Sequence, residues 1–331
     1  MELSRSELIT DKDLRLENAR LWLRDLGVEL QSDFVNVAGD ASFRRYFRLL
    51  VNGESRILMD SPPPSDDIKP FVDIDRRLRE ADLNAPEIFH ADLPNGFLLL
   101  EDFGDDLYRD LLNENNVDSL FPPLFDVLKR LALTADITDL PLFSEQKLRR
   151  DMDLFPDWYL GEYRKLVKRT PLDTFWDGFC AQIIDSAMTQ PQCFVHRDFH
   201  SCNLLRITGN DIAIIDFQDA VIGPISYDFI SLIWDRYISW PRPRLENWME
   251  QFRLDLGLDL EPGEWRRYCD LMGLQRNIKI VGIFARLHYR DGKKGYLEMI
   301  PRFYDYITST LRLYPEFAEV LEILERPECA P

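Results

Sequence analysis

The 331-residue sequence predicts an α+β fold with two lobes, a smaller one built on an antiparallel five-stranded sheet and a larger, mostly helical one. Five segments with β-strand character lie within the first hundred residues, and helical periodicity dominates the remainder. The chain is also longer than a single hydrophobic core usually supports. We therefore divide it into an N-terminal lobe at 1–100, a hinge at 101–104 and a C-terminal lobe at 105–331.

The N-terminal lobe begins with an amphipathic helix. Residues 13–26 place leucine and alanine side chains at helical spacing, and Gly27 marks the end of the helix. Alternating apolar residues then predict three strands, at about 33–37, 43–50 and 55–60. Asn52 and Gly53, between the last two strands, are typical of a two-residue hairpin turn, so we expect these strands to be antiparallel.

A second helix and two further strands complete this lobe. Residues 69–82 carry Phe71, Ile74 and Leu78 on one helical face, which predicts a helix with one buried side. Apolar segments then predict two strands, at 87–90 and 96–100. Glu101 begins the polar segment that ends this run and forms the predicted hinge.

The C-terminal lobe is predicted to be helical. Apolar side chains recur at intervals of three and four residues over 123–135 and 175–187, and a last helix lies around 301–313. Between the first two helices, residues 153–165 bring several aromatic side chains together, among them Trp158. These aromatics form either core packing between helices or a platform for a sugar ring, and the sequence leaves both interpretations open.

The stretch 194–219 holds the side chains that indicate chemistry. Asp198 is followed five residues later by Asn203, and a hairpin with a Gly-Asn turn then leads to Asp216. A carboxylate at the start of a loop can orient an attacking hydroxyl and accept its proton, and amide and carboxylate oxygens are ligands that Mg²⁺ prefers. Asp and Asn are also ordinary turn residues, but their spacing around a hairpin favours metal-dependent phosphoryl transfer.

Composition argues against several classes of function. The chain has 58 acidic and 40 basic residues and a net charge of −18, so its surface repels nucleic acids and anionic membranes, and we expect neither as a partner. The N-terminal residues lack the pattern of a signal peptide, and no apolar run is long enough to span a membrane. Five cysteines without a C-x-x-C spacing argue against a disulfide framework or a zinc site and favour a cytoplasmic protein.

The stretch 194–219 resembles the catalytic and metal-binding loops of the protein-kinase-like phosphotransferases, in particular the aminoglycoside phosphotransferase family. His196, Asp198 and Asn203 stand in the pattern H-x-D-x4-N, and Asp216 follows the hairpin. The resemblance implies a protein-kinase-like fold that uses ATP and Mg²⁺, with Asp198 as the catalytic base. It also implies that Asn203 and Asp216 bind the metal ion and that His196 is structural.

Asp228 narrows the class of phosphotransferase. It lies only twelve residues beyond Asp216, which leaves little room for the activation loop of a protein kinase and favours a kinase of small molecules. In the enzymes that the chain resembles, the later aspartate braces the catalytic loop. The alternative role is a helix N-cap, and we also count Asp228 among the candidate substrate residues.

The clearest departure from the family is Met59, which stands where the third strand of these enzymes carries a phosphate-binding lysine. Arg45 is our candidate replacement, provided that its face of the second strand points inward, and Lys69 is the alternative. Ser42, in the turn before that strand, is a candidate phosphate ligand. At the hinge, Glu101 begins the segment whose backbone we expect to meet the adenine ring.

In the enzymes that the chain resembles, an acidic residue pairs with the third-strand lysine that is missing here. Asp73 and Asp75, on the helix predicted over 69–82, are the candidates for that acidic position. Both could equally be charges on the solvent face of the helix, and we favour that interpretation.

A bacterial subgroup of the family, the N-acetylmuramate/N-acetylglucosamine anomeric kinases of peptidoglycan recycling, resembles the chain over further segments, among them GDASFRRYFRL, LLLEDFGDD and LQRNIKIVGIFARL. Members are similar in lacking the third-strand lysine. The resemblance implies phosphoryl transfer from ATP to the anomeric hydroxyl, giving a sugar 1-phosphate that a uridylyltransferase would use next. Trp158 is then a candidate for contact with the sugar, and Arg276 for contact with the lactyl carboxylate.

Two alternatives remain open at this point. A kinase of another small alcohol, such as an aminoglycoside or choline, would share the core motifs. A nucleotide-binding pseudokinase is suggested by Met59 and by the single glycine of the turn at 39–42, although Asp198, Asn203 and Asp216 argue against it. The sequence does not decide the exact sugar and anomer, the choice between ATP and GTP, the cation that replaces the lysine, or the oligomeric state.

Overall fold

A computed structural model of the chain describes residues 11–38, 44–63, 67–166, 170–327 and 329–331. The chain divides into two compact units. The first contains Met1–Leu107 and Leu204–Gln218, and the second contains Tyr108–Asn203 and Asp219–Pro331. Each unit therefore consists of two separate segments of the sequence.

The first unit contains the predicted five-stranded antiparallel sheet, with strand order β1-β2-β3-β5-β4. Its strands are β1 (Val35–Ala38), β2 (Arg45–Val51), β3 (Glu54–Asp60), β4 (Ile88–Asp92) and β5 (Phe97–Glu101). Its helices are α1 (Asp11–Asp25) and α2 (Lys69–Glu80). Asn52 and Gly53 connect β2 to β3 with φ values of 52° and 83°, as the hairpin signal predicted.

The strand register determines which side chains share a face of this sheet. Phe47 pairs with Leu58, which in turn pairs with Leu99, and all three are buried together with Leu23 of α1. Because successive side chains along a strand point to opposite faces, the buried Met59 lies on the face away from α1.

The second unit is mostly helical. Its helices are α3 (Tyr108–Leu111), α4 (Val117–Thr134), α5 (Glu145–Leu154), a π-helical segment (Phe155–Tyr163), α6 (Thr170–Thr189), α7 (Ser226–Ile233), α8 (Arg242–Leu256), α9 (Pro262–Tyr289), α10 (Ile300–Leu311) and α11 (Ala318–Leu324). Strands β6 (Gln192–Val195) and β9 (Val221–Pro224) form an antiparallel pair. Within the described ranges, no helix is both long and apolar enough to cross a membrane.

Helix α9 is the central element of the second unit. It packs so closely on its neighbours that two positions have no room for a side chain. A Cβ atom on Gly273 would lie 1.4 Å from the ring of Trp234, and one on Gly282 would lie 2.4 Å from the backbone of Leu154. Real Cβ atoms never approach other atoms so closely, so glycine is required at both positions for the observed packing.

Candidate active site

A short hairpin in the first unit leads to Asp216. Its strands are β7 (Leu204–Arg206) and β8 (Ile212–Ile214), and the turn between them uses Gly209 and Asn210 at φ values of 80° and 66°. Glycine adopts positive φ freely and asparagine tolerates it, so these two residues permit the tight reversal. The predicted hairpin and its Gly-Asn turn are confirmed.

Asp216 itself has a left-handed backbone, with φ of 63°, and its side chain is exposed. Gln218 Nε2 donates a hydrogen bond of 2.9 Å to Asp216 Oδ1. The next residue, Phe217, is fully buried, and its ring lies 4.7 Å from the ring of Phe71 on α2. The buried phenylalanine therefore anchors a strained loop that leaves the carboxylate accessible.

In the second unit, the loop that follows β6 is held by Asp228 of α7. The Asp228 carboxylate accepts hydrogen bonds from the backbone N–H groups of His196, at 2.5 Å, and Arg197, at 3.0 Å. Arg197 has a positive φ of 78°, an unfavourable conformation that these two bonds help to maintain. Burial raises the pKa of Asp228 to about 7, although the two N–H groups oppose the rise.

Asp198 lies two residues beyond His196, and its side chain is half-buried. Its backbone N–H donates to His196 Nδ1 at 3.3 Å, so the histidine fixes the position of the aspartate backbone. Burial alone would raise the pKa of Asp198, but the nearby charges of Lys279 and Arg276 outweigh this effect and lower the pKa to about 2. The side chain is therefore a carboxylate at neutral pH and is able to accept a hydrogen bond from a hydroxyl group.

Asn203 closes the same loop. Its side-chain nitrogen donates to the backbone carbonyl of Asp198 at 2.9 Å, and its backbone N–H donates to the carbonyl of His200 at 2.9 Å. The first bond uses the atom that cannot bind a cation and fixes the orientation of the amide. The amide oxygen is the atom suited to a hard metal ion.

The side chains of Asn203 and Asp216 each offer an oxygen atom of the kind that Mg²⁺ prefers. Among the described residues, no group of three or more His, Cys, Asp or Glu side chains is placed to hold a metal ion. Mg²⁺ commonly takes only one or two protein ligands and completes its octahedron with phosphate oxygens and water. Asn203 and Asp216 are each suited to that role.

The residues predicted to bind the nucleotide lie in the first unit. Ser42 falls outside the described residues. Arg45 lies on the sheet face that packs against α1, opposite the face of Met59, and its guanidinium contacts the buried carboxylate of Asp60, with Nε at 2.9 Å from Oδ2. Glu101 ends β5, and its backbone N–H donates to the Glu87 carbonyl at 2.9 Å.

The candidate substrate residues lie in the second unit. Trp158 is half-buried in the π-helical segment, where it packs at the edge of the main core of this unit. Asp228 directs both carboxylate oxygens at the backbone of the catalytic loop. Arg276 is only 5% exposed, and its charge influences the pKa of both Asp198 and Asp228. The structure thus brings Asp198, Asn203, Asp228 and Arg276 together in one unit.

Lys279 also belongs to this site, although it is not among the candidate residues named from the sequence. Its Nζ lies 3.3 Å from the hydroxyl of Tyr227 and 3.6 Å from Asp151 Oδ2, and its charge has the largest lowering effect on the pKa of Asp198. The available signal was the spacing of Arg276 and Lys279, three residues apart in an otherwise apolar helix, which places both on one face.

This arrangement defines a phosphotransferase with a protein-kinase-like fold. Asp198 and Asn203 are held in a rigid loop in one unit, and the hairpin that ends at Asp216 follows directly in the sequence. The chain belongs to the phosphotransferase enzyme family, whose model matches residues 33–271, well over half of its length. The predicted family membership is therefore confirmed.

Individual relatives agree with this assignment. The chain is 38% identical over 329 residues to an N-acetylmuramate/N-acetylglucosamine kinase of Pseudomonas putida, covering 95% of this chain and 97% of the relative. A protein of the same name from Pseudomonas aeruginosa is 38% identical over 94% of this chain and 96% of its own length. The fold is similar to that of ADP-bound aminoglycoside phosphotransferase APH(2'')-Ib, with a TM-score of 0.59 at 16% identity, covering 88% of this chain and 96% of that chain.

Proposed function

We propose that the protein is an ATP-dependent kinase that transfers a phosphoryl group to the anomeric hydroxyl of N-acetylmuramate or N-acetylglucosamine. The observation that carries the proposal is the catalytic loop, in which hydrogen bonds with His196 and Asn203 hold the backbone of Asp198. The names of the two Pseudomonas relatives support the choice of sugar. The ADP bound to the structural relative supports ATP as the donor.

Asp198 orients the acceptor and receives its proton. With a pKa of about 2, the carboxylate is too weak a base to produce an alkoxide before bond formation begins. Phosphoryl transfer has a loose transition state in which the acceptor needs positioning more than early deprotonation. Asp198 therefore aligns the anomeric hydroxyl by a hydrogen bond, and takes the proton as the acceptor oxygen bonds to phosphorus.

Asn203 and Asp216 are the proposed ligands of Mg²⁺. When bound, the metal ion neutralises negative charge on the phosphate oxygens of the nucleotide. Asp228 is a positioning residue, because its carboxylate holds the backbone of His196 and Arg197 and so fixes the path of the loop that carries Asp198.

The nucleotide is expected to meet three further residues. The backbone at Glu101 would meet the adenine ring, and Ser42 would contact a phosphate group. Arg45 remains our candidate for the cation that replaces the missing lysine, but its guanidinium would first have to leave Asp60, and Phe47 on the same strand face packs against α1. Lys69 remains the alternative.

The charges near Asp198 argue against a cationic acceptor such as an aminoglycoside or choline. Lys279 and Arg276 lie beside the carboxylate, and Lys147 and Arg197 add positive charge near Lys279. Like charges in a partly desolvated site repel each other, so a positively charged substrate would bind poorly there. A neutral or acidic sugar avoids this cost.

The chemistry of the product, a sugar 1-phosphate, indicates which class of enzyme uses it next. A sugar 1-phosphate is the substrate form from which a uridylyltransferase makes a nucleotide sugar, so such an enzyme is the expected consumer in peptidoglycan recycling. The five cysteines, all within the described residues, form no disulfide and fit a reducing compartment, and we assign the reaction to the cytoplasm.

The proposal is tested by measuring phosphate transfer from Mg-ATP to N-acetylmuramate, N-acetylglucosamine and an aminoglycoside. Asp198→Asn should lower kcat by about 100- to 10,000-fold and change KM for the sugar little, because its interaction is made chiefly in the transition state. Asp185→Asn, an exposed change on α6, is the matched control and should retain full activity. Stabilisation by Mg-ATP without turnover of any sugar would show a pseudokinase instead.

A further inference from the structure

Helix α9 carries a buried cation that forms no ion pair with any described residue, although the charges of Asp198 and Asp235 act on it. The guanidinium of Arg276 is almost fully buried, with 5% exposure, and within the described part of the chain it makes no ion pair and its Nε has no hydrogen-bond partner. An isolated buried charge is costly, and proteins normally pair it. The exception is notable in a chain with 58 acidic residues and 40 basic ones.

Arg242, in the same unit, shows how this protein usually treats such a side chain. Its two Nη atoms donate to the buried carboxylate of Asp270 at 2.5 and 2.8 Å, and its Nε donates to Glu246 at 2.7 Å. Arg276 is more buried than Arg242, whose side chain is 28% exposed, yet lacks any such partner among the described residues. The comparison suggests that its anionic partner comes from outside the protein.

Lys279 extends the positive region toward Asp198. It lies one turn beyond Arg276 on the same face of α9, with its side chain 13% exposed. Its ammonium group forms an ion pair with Asp151, whose Oδ2 is 3.6 Å away, beyond hydrogen-bond distance, and has no hydrogen-bond partner among the described residues. The charge of Asp198 also acts on Lys279, while Lys147 and Arg197 add positive charge around it.

We propose that Arg276 and Lys279 form a carboxylate-binding subsite that makes the enzyme prefer N-acetylmuramate to N-acetylglucosamine. This inference rests on the proposed function. The two sugars share the ring, the acetamido group and the reacting hydroxyl, and differ in the lactyl ether of N-acetylmuramate, which ends in a carboxylate. The lactyl ether ties that carboxylate to the same ring as the anomeric hydroxyl, so when Asp198 holds the hydroxyl the anion is confined to the region around Asp198, which includes Arg276 and Lys279.

The same cations could instead serve the other anion of the reaction, the phosphoryl group being transferred. The two roles make different predictions. A subsite for the sugar carboxylate affects only the acidic sugar, whereas a role toward the phosphoryl group affects both sugars equally and appears in kcat. We favour the carboxylate because Arg276 is buried in one place on α9, and a carboxylate attached to the sugar ring can remain bound to it throughout the reaction.

The experiment measures kcat/KM for both sugars in wild type, Lys279→Met and Arg276→Gln, with Arg266→Met as the control at an exposed position of the same helix. For each α9 variant, the preference for N-acetylmuramate should fall by about 10- to 100-fold, as expected when a charge-assisted hydrogen bond is lost. Both variants also remove a charge that acts on Asp198, so activity toward N-acetylglucosamine should fall too, but by a smaller factor than activity toward N-acetylmuramate. Arg266→Met should change neither value.

A third substrate tests the idea without any mutation. The methyl ester of N-acetylmuramate keeps the lactyl group and removes its charge, so wild type should use the ester less efficiently than the acid, by a similar factor. This comparison tests recognition of the carboxylate even where a variant fails to fold, as judged by its melting curve, and the α9 variants that do fold assign it to Arg276 or Lys279. Equal losses for both sugars in the variants, or equal use of ester and acid by wild type, would overturn the subsite. Wild type inactive on both sugars would instead overturn the proposed function.

Discussion

Asp75 of α2 offers a quantitative test of the structure, because it is a buried carboxylate that forms no ion pair with any described residue. It is 4% exposed, and its Oδ1 has no hydrogen-bond partner among the described residues. Burial raises its pKa from 3.8 to about 7, while Arg79 opposes the rise and Glu101 adds to it. Our expectation of a solvent-facing charge was therefore wrong for Asp75. We predict that Asp75→Asn stabilises the protein at alkaline pH.

The size and sign of the effect follow from proton linkage. An unfolded aspartate titrates near pH ~3.9, so between that pH and about 7 the folded state binds the extra proton. The contribution of Asp75 to stability is fully present below pH ~3.9 and is lost as the pH rises to about 7, at up to ~1.4 kcal/mol per pH unit. Asparagine has no such dependence. The variant should therefore gain roughly 2 to 3 kcal/mol over wild type between pH 5 and pH 8.

Urea unfolding at pH 5, 6, 7 and 8, followed by circular dichroism, measures this gain. Asp73→Asn is the control on the same helix. Although partial burial opposes the change, hydrogen bonds from Arg77 and Arg76 lower the pKa of Asp73, so its contribution is present above the unfolded pKa and its removal should destabilise the protein at pH 8. Parallel pH profiles for wild type and Asp75→Asn would refute the assignment of a raised pKa.

Two further predictions concern the catalytic loop and the packing of α9. Asp228→Asn should lower kcat by about 10- to 100-fold, because the N–H groups of His196 and Arg197 donate to different carboxylate oxygens and an amide replaces one of these oxygens with an NH₂ donor. Unchanged steady-state kinetics would contradict the positioning role. Gly273→Ala should destabilise the protein by about 1–3 kcal/mol in urea unfolding, because its Cβ would overlap the ring of Trp234. Gly178→Ala in α6 is the control, since its Cβ would enter open space and should stabilise the protein by ~0.5–1 kcal/mol. Equal effects of the two substitutions would argue against the close approach of α9 to Trp234.

Local features of the fold were predictable from the sequence. The apolar faces of α2 and α6 follow from helical periodicity, and the two hairpins follow from their turns, Asn52-Gly53 and Gly209-Asn210, which need positive φ. The loop from His196 to Asn203 was recognisable because its residue types and spacing reflect one chemical task. All of these signals lie within a few residues of each other along the chain.

Features that depend on distant partners could not be predicted in this way. Strand β6 pairs with β9 across a separation that no local pattern records. The face of Arg45 was uncertain because alternation shows which side chains share a face, but not which face α1 covers. Aspartate is a residue type that usually lies on the surface, and only tertiary packing buries Asp75. The role of Lys279 depends on its distances to Tyr227 and Asp151, which the sequence does not contain.

The interleaving of the two units has a practical consequence for dissecting the protein. A fragment that stops at Leu107 would lack Leu204–Gln218, and with it the ring of Phe217 that packs against Phe71. It would also lack strand β8, which accepts a hydrogen bond from the Asn84 side chain at Ile212 and donates one to the Asn84 carbonyl from Ile214. Such a fragment should aggregate or remain partly unfolded. Gene fusions that exchange the N-terminal piece between relatives should fail unless the fifteen-residue hairpin segment travels with it. A complete copy of the first unit therefore requires a second stretch of the gene, which begins nearly a hundred codons after the first stretch ends.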